Sequence, residues 1–338
     1  RRRGQMHDPV VKGNEVLLRY TGLDGQHRRT QLSFDPAPNS LAGNHATFEI
    51  DLPPKGSASL FVRITCAGEA HGASPRRAFF IAMRDARRAL RASSSRASSI
   101  VTSNEIFNEA ARRSVSDLYM LITDTPDGPY PYAGIPWFST VFGRDALITA
   151  LETLWLDPTM ARGVLAHLAV NQARTTDPAS DAEPGKILHE VRYGEMAELG
   201  EVPFRRYYGS ADSTPLFVML AGAYLRRTGD RETLRHLWPN VEAALDWMDA
   251  YGDRDGDGFL EYGRKTSEGL ANQGWKDSHD SISHADGTLA RGPIALVEVQ
   301  AYAYGAWQAA ADILTALGDP DRAATYRDRA ETLRQAFD

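Results

Sequence analysis

Cysteine is almost absent from this chain of 338 residues: Cys66 stands alone, so no internal disulfide can form, and a reducing compartment is the expectation. Cys66 itself reads as a small buried hydrophobe in a strand. Long apolar runs are missing too. The longest nearly apolar stretch, Pro215 to Leu225, is too short to span a bilayer, and the basic opening Arg1-Arg2-Arg3 leads into no apolar signal segment. The chain therefore reads as cytoplasmic, with no membrane partner. Positive charge is in short supply, with 38 Lys and Arg against 44 Asp and Glu and a formal net charge of -6, which argues against nucleic acid as a partner. There is no phosphate loop, CxxC pair or GxSxG elbow. His45, His167, His189, His236, His279 and His284 show no ligand spacing, and no cofactor is required on this reading.

What is present is ordinary for a soluble globular enzyme: 42% hydrophobic and 24% charged residues. The length exceeds the ~250–300 residues that one hydrophobic core usually serves, so two domains are expected. Residues 1–83 alternate in the manner of strands, as in Val16-Leu17-Leu18-Arg19-Tyr20, Thr30-Gln31-Leu32-Ser33-Phe34, Ala46-Thr47-Phe48-Glu49-Ile50 and Ser59 to Ile64. Turns such as Gly22-Leu23-Asp24-Gly25 separate them. This predicts an antiparallel β-sandwich, thin enough that upstream strands are expected to be missing. The stretch 84–100, rich in arginine, serine and alanine, reads as a linker.

From residue 101 to 338 the period becomes helical. A capping box of Thr102 and Glu105 precedes Phe107, Ala111, Val115, Leu118 and Ile122 on one face. Asp157-Pro158, Thr214-Pro215 and Asp319-Pro320 pair an N-cap with proline at the first helical position, Trp238-Pro239 restarts another helix, and Gly229 and Gly318 stand where helices end. Seven helices are predicted, near 103–123, 145–156, 158–173, 214–228, 239–251, 293–317 and 320–337. Long irregular stretches at 124–143, 174–211 and 252–292 lie between them, and loops of that length usually carry function.

Two acidic loops draw attention. In Asp253-Arg254-Asp255-Gly256-Asp257-Gly258 the carboxylates at positions 1, 3 and 5 and the glycine at 6 follow a calcium-loop pattern, but position 12 is Arg264 in place of the bidentate glutamate. Calcium at Asp253, Asp255 and Asp257 is one reading, and a solvated acidic turn is the other. The second loop is Asn272-Gln273-Gly274-Trp275-Lys276-Asp277-Ser278. Asp277 either caps the next element or acts as the proton donor of a glycosidase, with Trp275 as a low-dielectric wall that would keep it protonated.

Four segments in order decide between these. Trp137-Phe138-Ser139-Thr140-Val141-Phe142-Gly143-Arg144-Asp145-Ala146-Leu147-Ile148-Thr149 resembles the substrate-binding motif of bacterial amylo-α-1,6-glucosidase-type, glycogen debranching-like glycosidases. Tyr207 to Pro215, Asp253 to Tyr262, and Asn272 to Ser278 leading to Glu298-Val299-Gln300 extend the likeness, which runs from Tyr20 onward over most of the chain. The resemblance implies a mainly α protein with an N-terminal β domain: a partial β-sandwich followed by an incomplete (α/α)6 barrel related to those of glucoamylase and trehalase. It also implies inverting hydrolysis of an α-glucosidic bond in an α-glucan or oligosaccharide, which needs an acid and a water-activating base ~6.5–9.5 Å apart. Asp277 takes the place of the acid, between the fifth and sixth helices.

In related barrels the base follows the eleventh helix. A twelve-helix barrel needs on the order of 350–400 residues, and about 240 of the 338 follow the linker, so a fragment with its base beyond the chain end is expected. Within the chain, Glu298, Glu201 and Glu190 are the substitutes, and for Glu298 a buried structural pair is the competing explanation. Arg144 and Asp145 resemble the pair that grips the terminal sugar's hydroxyls, or else form a charge pair at a helix N-terminus. Trp137 and Phe138 could stack on a pyranose, Asp212 could accept from its hydroxyls, and Tyr262, Arg264, Trp275 and Lys276 complete the expected subsite. A trehalase-like α-glycosidase and a non-catalytic carbohydrate-binding or scaffold protein on the same fold are the alternatives. The oligomeric state is not legible.

Overall fold

The structure, a computed structural model, describes residues 3–66 and 72–338. The chain divides into two compact units, residues 1–95 with 194–199, and residues 96–193 with 200–338.

The first unit is built on antiparallel strands: β1 (Gln5–Met6), β2 (Val10–Lys12), β3 (Glu15–Thr21), β4 (His27–Asp35), β5 (Ser40–Leu41), β6 (Ala46–Thr47) and β7 (Phe61–Cys66). β3 and β4 form the centre of a five-stranded sheet in the order β1-β3-β4-β7, with β2 also on β3, while β5 and β6 make a separate ribbon. Register pairs Val16 with Leu32 and Leu32 with Ile64. One short core results, around Val16 and Phe34, with Phe48 against Phe34 at 6.0 Å. Cys66 is in a strand as expected but is exposed, because the alternation of β7 puts it on the same face as the exposed Val62 and Ile64. The expected linker at 84–100 is instead largely the second half of helix α1 (Pro75–Ser94). Its arginines, alanines and leucine are strong helix formers, and Phe79 and Phe80 fix it against Phe61 at 5.5 and 5.9 Å.

The second unit holds seven helices of ten residues or more among the described residues: α2 (Glu105–Leu121), α3 (Gly143–Glu152), α4 (Pro158–Val170), α5 (Ser213–Thr228), α6 (Arg231–Trp247), α7 (Val297–Leu317) and α8 (Pro320–Phe337). Short strand pairs β8 (Ile122–Thr125) with β9 (Gly128–Pro131) and β10 (Glu261–Tyr262) with β11 (Ile294–Ala295) brace the loops. Asp157 and Asp319 cap α4 and α8 through Thr159 N–H and Arg322 N–H, and Gly229 and Gly318 end α5 and α7 in the left-handed conformation.

Three of the predicted helix starts move. Thr214 lies inside α5, whose N-cap position is held by Asp212. Asn104, not Thr102, caps α2 by accepting from Phe107 N–H, and Thr102 bonds Asn108 instead. Pro239 lies inside α6 rather than at its start, since Asp230 already caps that helix. Leu234, Leu237, Val241 and Leu245 then bury one continuous face, which outweighs the ~3 kcal/mol an internal proline costs. α5 is buried nearly all round, and Gly222 lets it meet α7 where a Cβ would stand 2.5 Å from that of Ala309. No helix of the described residues is long and apolar enough to cross a membrane.

Candidate active site

The site is assembled at the start of α3. Phe142 is its extended N-cap, and Gly143 N–H donates to His189 O at 2.7 Å. A Cβ on Gly143 would fall 1.9 Å from Leu188 O, so only glycine lets the two segments meet. That approach sets Arg144, 5% exposed, at the centre of the unit's long loops. Its Nη1 donates to Gly274 O at 2.7 Å and to Asp212 Oδ2 at 3.3 Å, and its Nη2 donates to Asp277 Oδ2 at 2.9 Å. The buried Nε has no partner among the described residues.

Asp212 stands at the N-cap of α5 but makes no capping bond. It is fully buried, accepts from Ser210 Oγ at 2.5 Å, and is held by Arg144. Burial pushes its carboxyl above the usual carboxylate range, with Arg144 and Ser210 acting in opposition.

Asp277 belongs to a loop fixed from several sides. Gln273 O accepts from Ala211 N–H at 2.7 Å, Asn272 Nδ2 donates to Ser278 O at 2.6 Å, and Asn272 Oδ1 accepts from Tyr262 at 3.0 Å. Gln273 Nε2 reaches Asp181 at 3.1 Å. Asp181 also accepts from Tyr207 and from Lys265 N–H, each at 2.7 Å, so one buried carboxylate ties the two long stretches 174–211 and 252–292 together. The expected apolar wall is not there. Trp275 is 58% exposed, its ring lies 5.8 Å from the Arg144 guanidinium, and the Asp277 side chain is 43% exposed and ion-paired.

The remaining candidates separate. Asp145 and Glu298 are half-buried and neither has a hydrogen-bond or ion-pair partner among the described residues, so the structural pair proposed for Glu298 does not exist. Both are free acceptors beside Arg144 and Gly274: the Asp145 charge acts on Arg144, and Glu298 Oε1 lies 3.9 Å from where a Gly274 Cβ would be. Glu190 is buried against Arg192 at 2.7 Å, and burial, reinforced by the charges of Asp277 and Asp145, pushes its carboxyl up. Glu201 is exposed. Trp137, 78% exposed, and Phe138 present the open rings that sugar stacking needs, and Phe138 meets Phe142 at 5.8 Å. Lys276 is exposed and has no ion-pair partner among the described residues.

Tyr262 and Arg264 bond within the loops around the site. The Tyr262 hydroxyl is spent on Asn272, and Arg264 donates to Ser267 O and Gly269 O in its own loop. The carboxylates of Asp253, Asp255 and Asp257 come within 4.8 Å of one another, a spacing that could hold a cation. They also bond the amides of Gly256, Asp257, Gly258 and Phe259.

Sequence reasoning missed Asp181, Tyr207, Gln273 and the buried Glu183, which is surrounded by Lys186, Lys265 and Arg254. Burial opposes the Glu183 charge, yet the cations and a hydrogen bond from Trp247 hold its carboxyl below the usual range, while burial brings Lys186 down to about 8. It also missed His189, buried between Phe142 and Tyr207. Tyr207 and Gln273 stood in segments that carried the family resemblance but were given no role there, and no local pattern announces Asp181, Glu183 or His189.

Carboxylates beside open aromatics in a helical domain that follows an antiparallel β domain in the chain suit a glycoside hydrolase. Residues 140–338 match the mannosylglycerate hydrolase MGH1-like glycoside hydrolase domain, and the chain belongs to that family. Residues 1–63 match the N-terminal domain of some glycogen debranching enzymes. No curated protein matches the chain.

Proposed function

We propose that this glycoside hydrolase cleaves α-glucosidic bonds, in the manner of a debranching α-1,6-glucosidase, by a single inverting displacement with Asp277 as the general acid. The observation that carries the reading is the posture of Asp277: its Oδ2 is pinned by a buried guanidinium, and its Oδ1 has no partner among the described residues. A proton on Oδ1 would be delivered to the glycosidic oxygen as its bond to the sugar breaks. Asp145 would accept from hydroxyls of the bound sugar, with Trp137 and Phe138 stacking on its ring. Glu298, partnerless among the described residues, would likewise accept from sugar hydroxyls, and it is the chain's own substitute should the water-activating base lie within the chain. A proton NMR time course with a branched limit dextrin, isomaltose and trehalose tests this: β-glucose must appear first. Release of α-glucose first would exclude inversion, and binding without turnover would favour a carbohydrate-binding protein.

A second reading is a glycoside with an anionic aglycone such as mannosylglycerate. The family match and the exposed, unpaired Lys276 next to Asp277 favour it. Turnover of mannosylglycerate in the same assay, lost on Lys276→Ala while neutral glycosides are ignored, would establish it over the first.

A further inference from the structure

Arg144 and Asp145 are neighbours in the chain, but their surroundings give them different work. Asp145 is free to accept a sugar hydroxyl. Arg144 is not similarly free. Three of its N–H groups are committed to protein oxygens, two on Nη1 and one on Nη2, its Nε is buried, and the whole residue is 5% exposed. We infer that Arg144, backed by Asp212, is a positioning residue that holds Asp277 by Oδ2 so that Oδ1 carries the proton; this rests on the reading of Asp277 as the acid.

Three features argue for it. The same guanidinium grips Gly274 O and Asp277 Oδ2, so one planar group fixes both the backbone of the loop and the side chain that must act. Arg144 springs from the first turn of α3, where Ala146, Leu147 and Ala150 are locked in the core, so the grip is rigid. Charge is also balanced. Asp212, fully buried, neutralises Arg144, so the guanidinium is not left as an unpaired buried cation when Asp277 is protonated. In the step itself the proton leaves Oδ1 for the glycosidic oxygen, which takes the electron pair of the breaking C1–O bond. The Asp277 carboxylate so formed stays paired with Arg144; water attacking C1 from the opposite face gives its proton to the general base, and a proton from solvent restores Asp277 afterwards.

A leaving group that needs no proton separates positioning the acid from gripping the sugar. In the full-length protein, kcat and KM would be measured for wild type, Asp277→Asn, Arg144→Lys and Asp212→Asn on the glycoside that the enzyme hydrolyses and on the matching α-glycosyl fluoride. Arg144→Lys is expected to lose ~10–100-fold in kcat on the glycoside with KM within about threefold, and less than about threefold on the fluoride. A tenfold rise in KM on both substrates with kcat retained would overturn the inference and make Arg144 a sugar ligand. Should Arg144→Lys fail to fold, Asp212→Asn, which keeps the guanidinium, carries the same expectation at about tenfold; equal losses on both substrates overturn it there too. Full activity of Asp277→Asn on the glycoside would instead remove the acid itself, whatever Arg144 does.

Discussion

The connection between α6 and α7 holds two acidic loops that solve opposite problems. Asp253, Asp255 and Asp257 are largely self-contained: their oxygens bond the amides of Gly256, Asp257, Gly258 and Phe259, a few residues away. Asp277 is held by a residue far back in the chain, Arg144, and its loop by Asp181, Ala211 and Tyr262. A carboxylate satisfied by its own turn is built for local order. One held at a single oxygen by a remote buried cation, with the other oxygen free, is built to act on something else.

Replacement should therefore separate the two loops. Asp277→Asn is expected to cost ~10³-fold in turnover of an α-glycoside while sugar binding, measured by calorimetry, survives. Comparable activity in that variant would dissolve the contrast. Next in size, Asp181→Ala leaves the donors of Tyr207, Gln273 and Lys265 without their acceptor and should lower stability by about 3 kcal/mol, whereas Asp255→Asn should cost less than about 1 kcal/mol. Urea unfolding of the two variants side by side gives the comparison directly.

His189 sharpens it through pH. Burial, with Arg144 nearby, holds the imidazole at about 3 against an ordinary value of 6.5. Between those values the unfolded chain takes up a proton that the folded one refuses, so stability is full above pH 6.5 and is lost as pH falls toward 3. The His189→Phe variant should remove up to about 1.4 kcal/mol per pH unit of that slope, read from melts across the window. An identical slope in both proteins would mean that the imidazole is protonated in place.

Smaller again, Glu298→Gln should cost about tenfold, mostly in KM, if this partnerless carboxylate accepts sugar hydroxyls. A ~10³-fold loss of kcat restored by azide would make it the group that activates water. The smallest effect concerns the self-contained loop. Calcium at ~1 mM in place of chelator should move the melting temperature by less than about 2 °C, and a rise well beyond that would turn Asp253, Asp255 and Asp257 into a calcium site.

How legible the molecule is from its sequence depends on the range of the forces involved. α4, α5, α7 and α8 were readable because proline, aspartate and glycine act within one helical turn. α1 was misread because its composition resembled a linker, while packing against Phe61 lies outside any local window. Pro239 misplaced the start of α6 for the same reason, since a buried face overrode a local breaker.

The site divides along the same line. By itself the sequence determined the helical period, the β-to-α order, the helix that opens near Asp145 and the Asp277 loop, all of them settled by neighbours within a few residues. Only the tertiary structure decided that Arg144 faces Asp277 and Asp212 rather than solvent, that Asp181 joins two long loops, that Tyr262 and Arg264 bond within the loops around the site, and that Asp145 and Glu298 stay unpaired among the described residues. Burial made the difference. A charge enclosed in the core must find its partner wherever the fold brings one, and nothing in the adjacent residues records where that will be.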